Sequence, residues 1–241
     1  MKIIKDEGNY AIVSEIGGTV TSLVLNDVSV IYFQRRRGEK LRGGMPICFP
    51  FFGPPKGRFS GIPQHGWLRK EELEGEKSNS SLKFEGTSLG RKDYPWHLYY
   101  SNSVSITENN DFLMKFFATR LSDGILGRAP VNPGVHPYFP NLGKRALFID
   151  DKKIINFNEK AEIITAKEKV IIDLGGAKVQ LSLGGDFGRN SCFVLWSDSQ
   201  DYFCVEPVFQ DPAYFGDKKG KYLEEGESLT LILNLAVLAD R

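Results

Sequence analysis

The sequence predicts an all-β fold, a sandwich or barrel built as one domain over residues 1–241. Three observations predict it. Short β-rich runs recur along the chain, and turn residues separate them roughly every 8 to 12 positions. No stretch carries the apolar stripe of a three-turn helix. No repeat of 20–50 residues and no Ser/Gly/Pro-rich linker divides the chain.

The runs can be justified in order. "YAIVSEI" alternates from residue 10, and "TVTSLVLNDVSVIYF" from residue 19 is two strands split by the turn pair Asn26-Asp27. "SVSITE", "FLMKFFATRL", "ALFIDDKKIINF", "EIITAKEKVIIDL" and "AKVQLSLGG" follow the same period of two. "SCFVLWS" and "YFCVEPV" read as strands of the same style, and "YFCV" is apolar enough to be a buried one. "SLTLILNLAVLA" is a strongly apolar last strand that ties the C-terminal region into a sheet. "RKEELEGEK" has helical propensity but nothing to bury, and Gly75 is expected to end it.

Composition removes several function classes. Hydrophobic residues make up 41% and charged residues 25%, enough for a substantial core without cross-links. The net charge of +1, from 31 basic and 30 acidic residues, argues against a nucleic-acid partner. Cys48, Cys192 and Cys204 are too scattered for a disulfide framework or a metal pair, and read as buried free thiols of a cytoplasmic protein. The first residues contain no signal-peptide core, and no apolar run approaches the ~18 residues of a membrane helix. Three dispersed histidines do not make metal-ligand spacing. "LGGDFG" lacks the dinucleotide-binding glycine spacing, and no phosphate loop or nucleophile elbow is present. No cofactor is expected.

Candidate site residues cluster in four islands. The first is "GGMPICFPFFG", residues 43–53, where glycines and prolines alternate with aromatic bulk. It reads as a stiff support, with Phe49, Phe51 and Phe52 serving as packing or as apolar surface beside a ligand. Arg42 precedes it, so its guanidinium is held on a rigid base, as a bidentate contact requires. The basic run Gln34–Lys40 before it reads as a solvated hairpin tip. The second island, "PQHGWLR", carries Gln64, His65 and Arg69. As an extended piece it would put Gln64 on one face and His65 with Arg69 on the other. The third, "VNPGVHPYFP", brackets His136 with Pro133, Gly134 and Pro137, which suits a positioned acid or base or a turn cap. The fourth, "YFCVEPV", ends a buried run on Glu206, a carboxylate that needs either water or a task. His97, in the aromatic run "YPWHLYY", reads as structural.

Taken in order, "RGGMPICFPFFG", "PQHGWLR", "NPGVHPYF" and "CVEP" resemble the hexose-6-phosphate mutarotase branch of the aldose 1-epimerase, or galactose mutarotase-like, superfamily. The resemblance runs from "GGTVTSLVLNDVSVIYF" to "YLEEGESLTLIL". It implies a large antiparallel β-supersandwich with its site in a cleft on the concave face. It also implies cofactor-free interconversion of the α and β anomers of a hexose or hexose 6-phosphate, by a monomer. His136 matches the general acid and Glu206 the general base. Arg42, Gln64, His65 and Arg69 match substrate-binding positions. Two features depart from the family: no Asp before an Arg-Val-Tyr-like stretch stands between His136 and Glu206, and Trp196 leads through only "SDSQ" to Asp201. The pair of arginines favours a phosphorylated sugar. An epimerase of unphosphorylated aldoses and a non-catalytic carbohydrate-binding protein are the alternatives.

Overall fold

A computed structural model describes residues 1–34, 42–150, 152–215 and 219–239. Most of the basic run of residues 34–40 lies outside them. Among the described residues there is no α-helix, only three single 3₁₀ turns at Gly57–Phe59, Leu68–Lys70 and Pro212–Tyr214. No helix among them is long and apolar enough to cross a membrane. All pairings between the named strands are antiparallel.

Among the described residues, nine strands form the largest sheet, centred on Lys178–Gly185, Ser228–Leu238, Phe112–Arg120 and Tyr94–Ile106. Its long strands alternate as their sequences predict. Leu98, Tyr100, Val104 and Ile106 point inward from one, and Phe112, Met114, Phe116 and Ala118 from its neighbour. The N-terminal sheet runs Lys2–Asp6, Asn9–Val13, Val20–Leu25, Val28–Ser29. Its last turn is the expected one: Asn26 and Asp27 have φ of 48° and 63°, the left-handed pair that a tight hairpin requires. Gly75 does not end a helix. It lies inside the strand Glu74–Lys77, where the Phe84 ring leaves no room for a Cβ.

A smaller sheet positions the site. Its order is Glu162–Thr165, Cys192–Trp196, Tyr202–Val208, Gly134–Val135, Ile47–Cys48, with Tyr138–Pro140 also paired to Tyr202–Val208. Tyr202–Val208 is buried along its whole length, so its two faces divide by parity. Phe203 and Val205 join the main core with Phe193, Leu195 and the large sheet's Leu235. Tyr202, Cys204 and Val208 belong to two small apolar clusters outside the main core, and Glu206 stands between Cys204 and Val208 in sequence. Glu206 therefore lies within a strand that continues through Pro207, not at its end as the sequence reading placed it.

The segment Gly43–Gly53 joins this sheet to both histidine-bearing islands. Phe49 is fully buried, with its ring 5.1 Å from Phe116 and 5.5 Å from Tyr100. Its carbonyl accepts hydrogen bonds from Trp67 N at 3.0 Å and Leu68 N at 3.3 Å. Gly66 meets Phe49 in a parallel bridge at φ +72°, and a Cβ there would stand 1.9 Å from the Phe49 carbonyl oxygen. Gly66→Ala is therefore expected to destabilise the protein by about 1–3 kcal/mol or more, from strain plus the clash. Urea unfolding checks this; an unchanged midpoint would contradict the close approach.

Candidate active site

One cavity of about 690 Å³ opens on the Glu206 side of the smaller sheet. Arg42, Gln64, His65, Arg69, His136 and Glu206, the six residues singled out from the sequence, all line it. The second island gets there by a route other than the extended one. His65 and Gly66 both have positive φ, and Leu68–Lys70 is a 3₁₀ turn. This twist buries Trp67 and Leu68 and delivers Gln64, His65 and Arg69 to the same wall. The alternation predicted for "PQHGWLR" does not occur, because glycine-permitted left-handed backbone replaces extended chain.

The phenylalanines divide between the two roles left open. Phe49 and Phe51 pack in the main core. Phe52 lines the cavity, with its ring 4.7 Å from His65 and 6.0 Å from His136. Cys48, Cys192 and Cys204 are free and buried, as expected. His97 lies on the Tyr94–Ile106 strand, where its backbone N–H donates to Asp123, and does not line the cavity.

His136 and Glu206 meet at the buried end of the cavity. His136 Nε2 is 3.5 Å from Glu206 Oε1, with side-chain exposures of 7% and 2%. The His136 backbone is fixed by its N–H to the Pro46 carbonyl at 2.9 Å, and its ring stacks on Tyr138 at 4.7 Å. Nδ1 is buried without a partner. Burial pushes the Glu206 carboxyl well above the ordinary carboxylate range, opposed by a hydrogen bond with Cys204. Burial also pushes His136 well below the ordinary imidazole range, helped by nearby His65 and Arg69. Desolvation thus favours a protonated Glu206 beside a neutral His136. The imidazolium expected at His136 has to arise by proton transfer within the pair.

His65 is held as a neutral donor. Its Nδ1 accepts from the Gly53 N–H at 3.2 Å, which places its own hydrogen on Nε2. Burial, with Arg69 nearby, lowers its pKa to about 4. The Gln64 amide nitrogen lies 3.3 Å from Nε2; with the hydrogen on Nε2, the amide has to turn its oxygen there to accept it.

The two arginines differ in their surroundings. Arg42 donates to Asp198 Oδ2 at 2.7 Å and lies 5.1 Å over the Trp196 ring. Arg69 makes no hydrogen bond or ion pair with any described residue, and exposed Lys70 follows it on the cavity rim. Sequence reasoning missed Tyr138 and Trp196, although Tyr138 follows His136 by two on the same face. It also missed Asp198, whose partner is 156 residues away. Glu159, which the sequence did not single out, also lines the cavity.

Among the described residues, one group of donor atoms is close enough to hold a metal ion: those of His136, Cys204 and Glu206, all within 4.8 Å of one another. Burial keeps the Cys204 thiol and the Glu206 carboxyl protonated, which makes this a poor cation site.

The family model described as Aldose 1-epimerase matches residues 1–212. No curated protein sequence matches the chain. Among solved structures, a galactose mutarotase-like protein from Lactobacillus casei ATCC 334 is similar at 16% identity and a TM-score of 0.80, over 99% of this chain and 100% of that one. A galactose mutarotase related enzyme from Lactobacillus acidophilus is similar at 17% identity and 0.79, over 99% and 97%. The Slr1438 protein from Synechocystis sp. PCC 6803 is similar at 19% identity and 0.77, over 98% and 94%. At these identities the likeness is one of fold, and the family match adds the class of chemistry, interconversion of sugar anomers. The chain belongs to the aldose 1-epimerase family.

Proposed function

We propose that the chain interconverts the α and β anomers of an aldose in this cavity, with a hexose 6-phosphate as its preferred substrate. The carrying observation is the contact between His136 and Glu206, an acid/base pair buried at one end of a cavity whose volume suits a sugar. A binding protein has no need of such a pair at the cost of burying it.

Ring opening requires loss of the proton on O1 and gain of a proton on O5. With the pair's single proton on the imidazole, Glu206 takes the O1 proton while His136 delivers its own to O5, and the C1–O5 bond breaks. Rotation about C1–C2 turns the aldehyde over. On closure His136 recovers the proton from the C5 hydroxyl, and Glu206 returns its proton to O1. The pair ends as it began. A sugar hydroxyl can insert between the His65 Nε2–H and the Gln64 amide, accepting from the first and bonding to the second. Arg69, without a partner among the described residues, suits the phosphate. A second reading, an unphosphorylated aldose, is favoured by the Arg42–Asp198 pair, which already meets one of the two arginine charges.

Exchange NMR on α- and β-glucose 6-phosphate tests the chemistry. Glu206→Gln and His136→Asn are each expected to slow exchange by ~10²–10⁴-fold; a wild-type rate in either would defeat the mechanism. Arg69→Ala is expected to raise KM for glucose 6-phosphate by about tenfold or more, the worth of a charge-assisted contact, and to affect free glucose far less. Equal effects on the two sugars would remove the phosphate assignment.

The pair's burial also fixes a stability trend. The folded Glu206 pKa lies above its ordinary 4.5, so burial costs nothing extra below that pH and destabilises increasingly as pH rises towards the folded value. Glutamine has no such cost. The urea midpoint of Glu206→Gln should exceed that of wild type at pH 8, and the gap should close near pH 4.5. A gap that stays constant with pH would contradict the raised pKa.

A further inference from the structure

The turn between Trp196 and Tyr202 is short and firmly tied. Arg145 Nη1 donates to the Tyr202 carbonyl at 2.7 Å and the Ser199 carbonyl at 3.2 Å, while Nη2 reaches the Phe157 carbonyl at 3.2 Å. Asn141 adds a bond from Nδ2 to the Gln200 carbonyl at 2.7 Å and from its backbone N–H to the Asp201 carbonyl at 2.8 Å. Asp198 is carried on this turn. Its Oδ2 accepts from Arg42, and its Oδ1 accepts from the Tyr202 hydroxyl. Arg42 is thus fixed on one side by a carboxylate and on a face by Trp196.

This arrangement sorts the cavity's charges. A phosphate dianion placed on Arg42 would also approach the Asp198 carboxylate, and the repulsion would offset much of the attraction. A sugar hydroxyl carries no charge and can accept from the remaining guanidinium N–H groups. Arg69 has no carboxylate bonded to it among the described residues, although Glu159 and Glu206 share the cavity wall. We propose that Asp198 is a positioning and specificity residue: it aims Arg42 at neutral sugar hydroxyls and reserves the substrate's anionic group for the Arg69 side. This rests on the sugar-site reading above.

Asp198→Asn keeps the size and removes the charge. It is expected to weaken the hold on free glucose, raising its KM about threefold or more, the scale of one loosened hydrogen bond, with the change carried by KM rather than kcat. KM for glucose 6-phosphate should stay level or fall, because Arg42 is released to the phosphate. The ratio of kcat/KM for phosphorylated over free sugar therefore rises. Tyr202→Phe, a milder change, should move the ratio the same way by less, and Asp198→Glu should restore wild-type values in part. In the Arg69→Ala background, Asp198→Asn should recover part of the lost phosphate preference. A parallel loss on both sugars, with no change in ratio, would overturn the proposal and leave Asp198 as a loop prop. Calorimetric binding of inorganic phosphate separates this proposal from the one it rests on. Tighter binding by Asp198→Asn than by wild type supports the charge sorting even if neither protein exchanges anomers, and unchanged or weaker binding counts against it.

Discussion

The main chain from Gly44 to Gly53 is the constraint on which the site depends. Its carbonyls accept from Tyr138 N at Gly44, His136 N at Pro46, Asn132 N at Pro50, Trp67 N at Phe49 and His65 N at Gly53. These bonds run 2.8 to 3.0 Å and reach two islands that are far apart in sequence. The His65 and His136 rings end 5.3 Å apart for this reason. The composition of the segment follows from its task. Pro46 and Pro50 lack an N–H to satisfy but keep the carbonyl that the neighbouring islands use. Phe49 and Phe51 anchor the segment in the main core, and only Phe52 turns to the cavity.

The burial that stabilises this fold also sets the chemistry. Tyr202–Val208 contributes Phe203 and Val205 to the main core, which commits alternate residues to the opposite face. That face is covered by Tyr138, Tyr202 and Cys204 on one flank and by Phe52, Val194 and Val208 on the other. Glu206 is caught between them, so its charge is disfavoured for the same reason its neighbours are stabilising. His136 meets the same environment and shifts in the opposite direction. Two neutral groups separated by 3.5 Å can exchange one proton at little cost in net charge, which is what a reaction that adds and removes a proton in both directions requires. Such a site is held at some expense of stability.

Regular strands were legible in the sequence because period-two burial is a local property. Phe112–Arg120 shows it along its whole length, and Ser228–Leu238 as far as Leu235. The very short strands were not legible: Ile47–Cys48 and Gly134–Val135 have two residues each, too few to show a period. "PQHGWLR" departs from the extended expectation because His65 and Gly66 take left-handed backbone that the local sequence signals only through its glycine. The six site residues were legible as motifs, and the structure places all six on one cavity. Tyr138 and Trp196 could have been found by extending the same-face rule from His136 and from the buried run ending at Trp196. Asp198 had no local signal at all, since its meaning comes from Arg42 across the fold.

The distribution of charge then gives the cavity a direction. At the buried end, desolvation holds His136 and Glu206 neutral, and His65 stays neutral as well. Along one wall Arg42 is matched by Asp198. Positive charge without a described counter-ion is left at Arg69 and Lys70. On the reading proposed above, a phosphate would be drawn to Arg69, and the neutral anomeric centre to the buried pair His136 and Glu206. A ligand without charge keeps only hydrogen bonds to choose its orientation, and those depend on how firmly Arg42, Gln64 and His65 are held. The rigidity of Gly44–Gly53 and of the turn carrying Asp198 is therefore part of recognition, because both aim donors that would otherwise have to be ordered by the ligand itself.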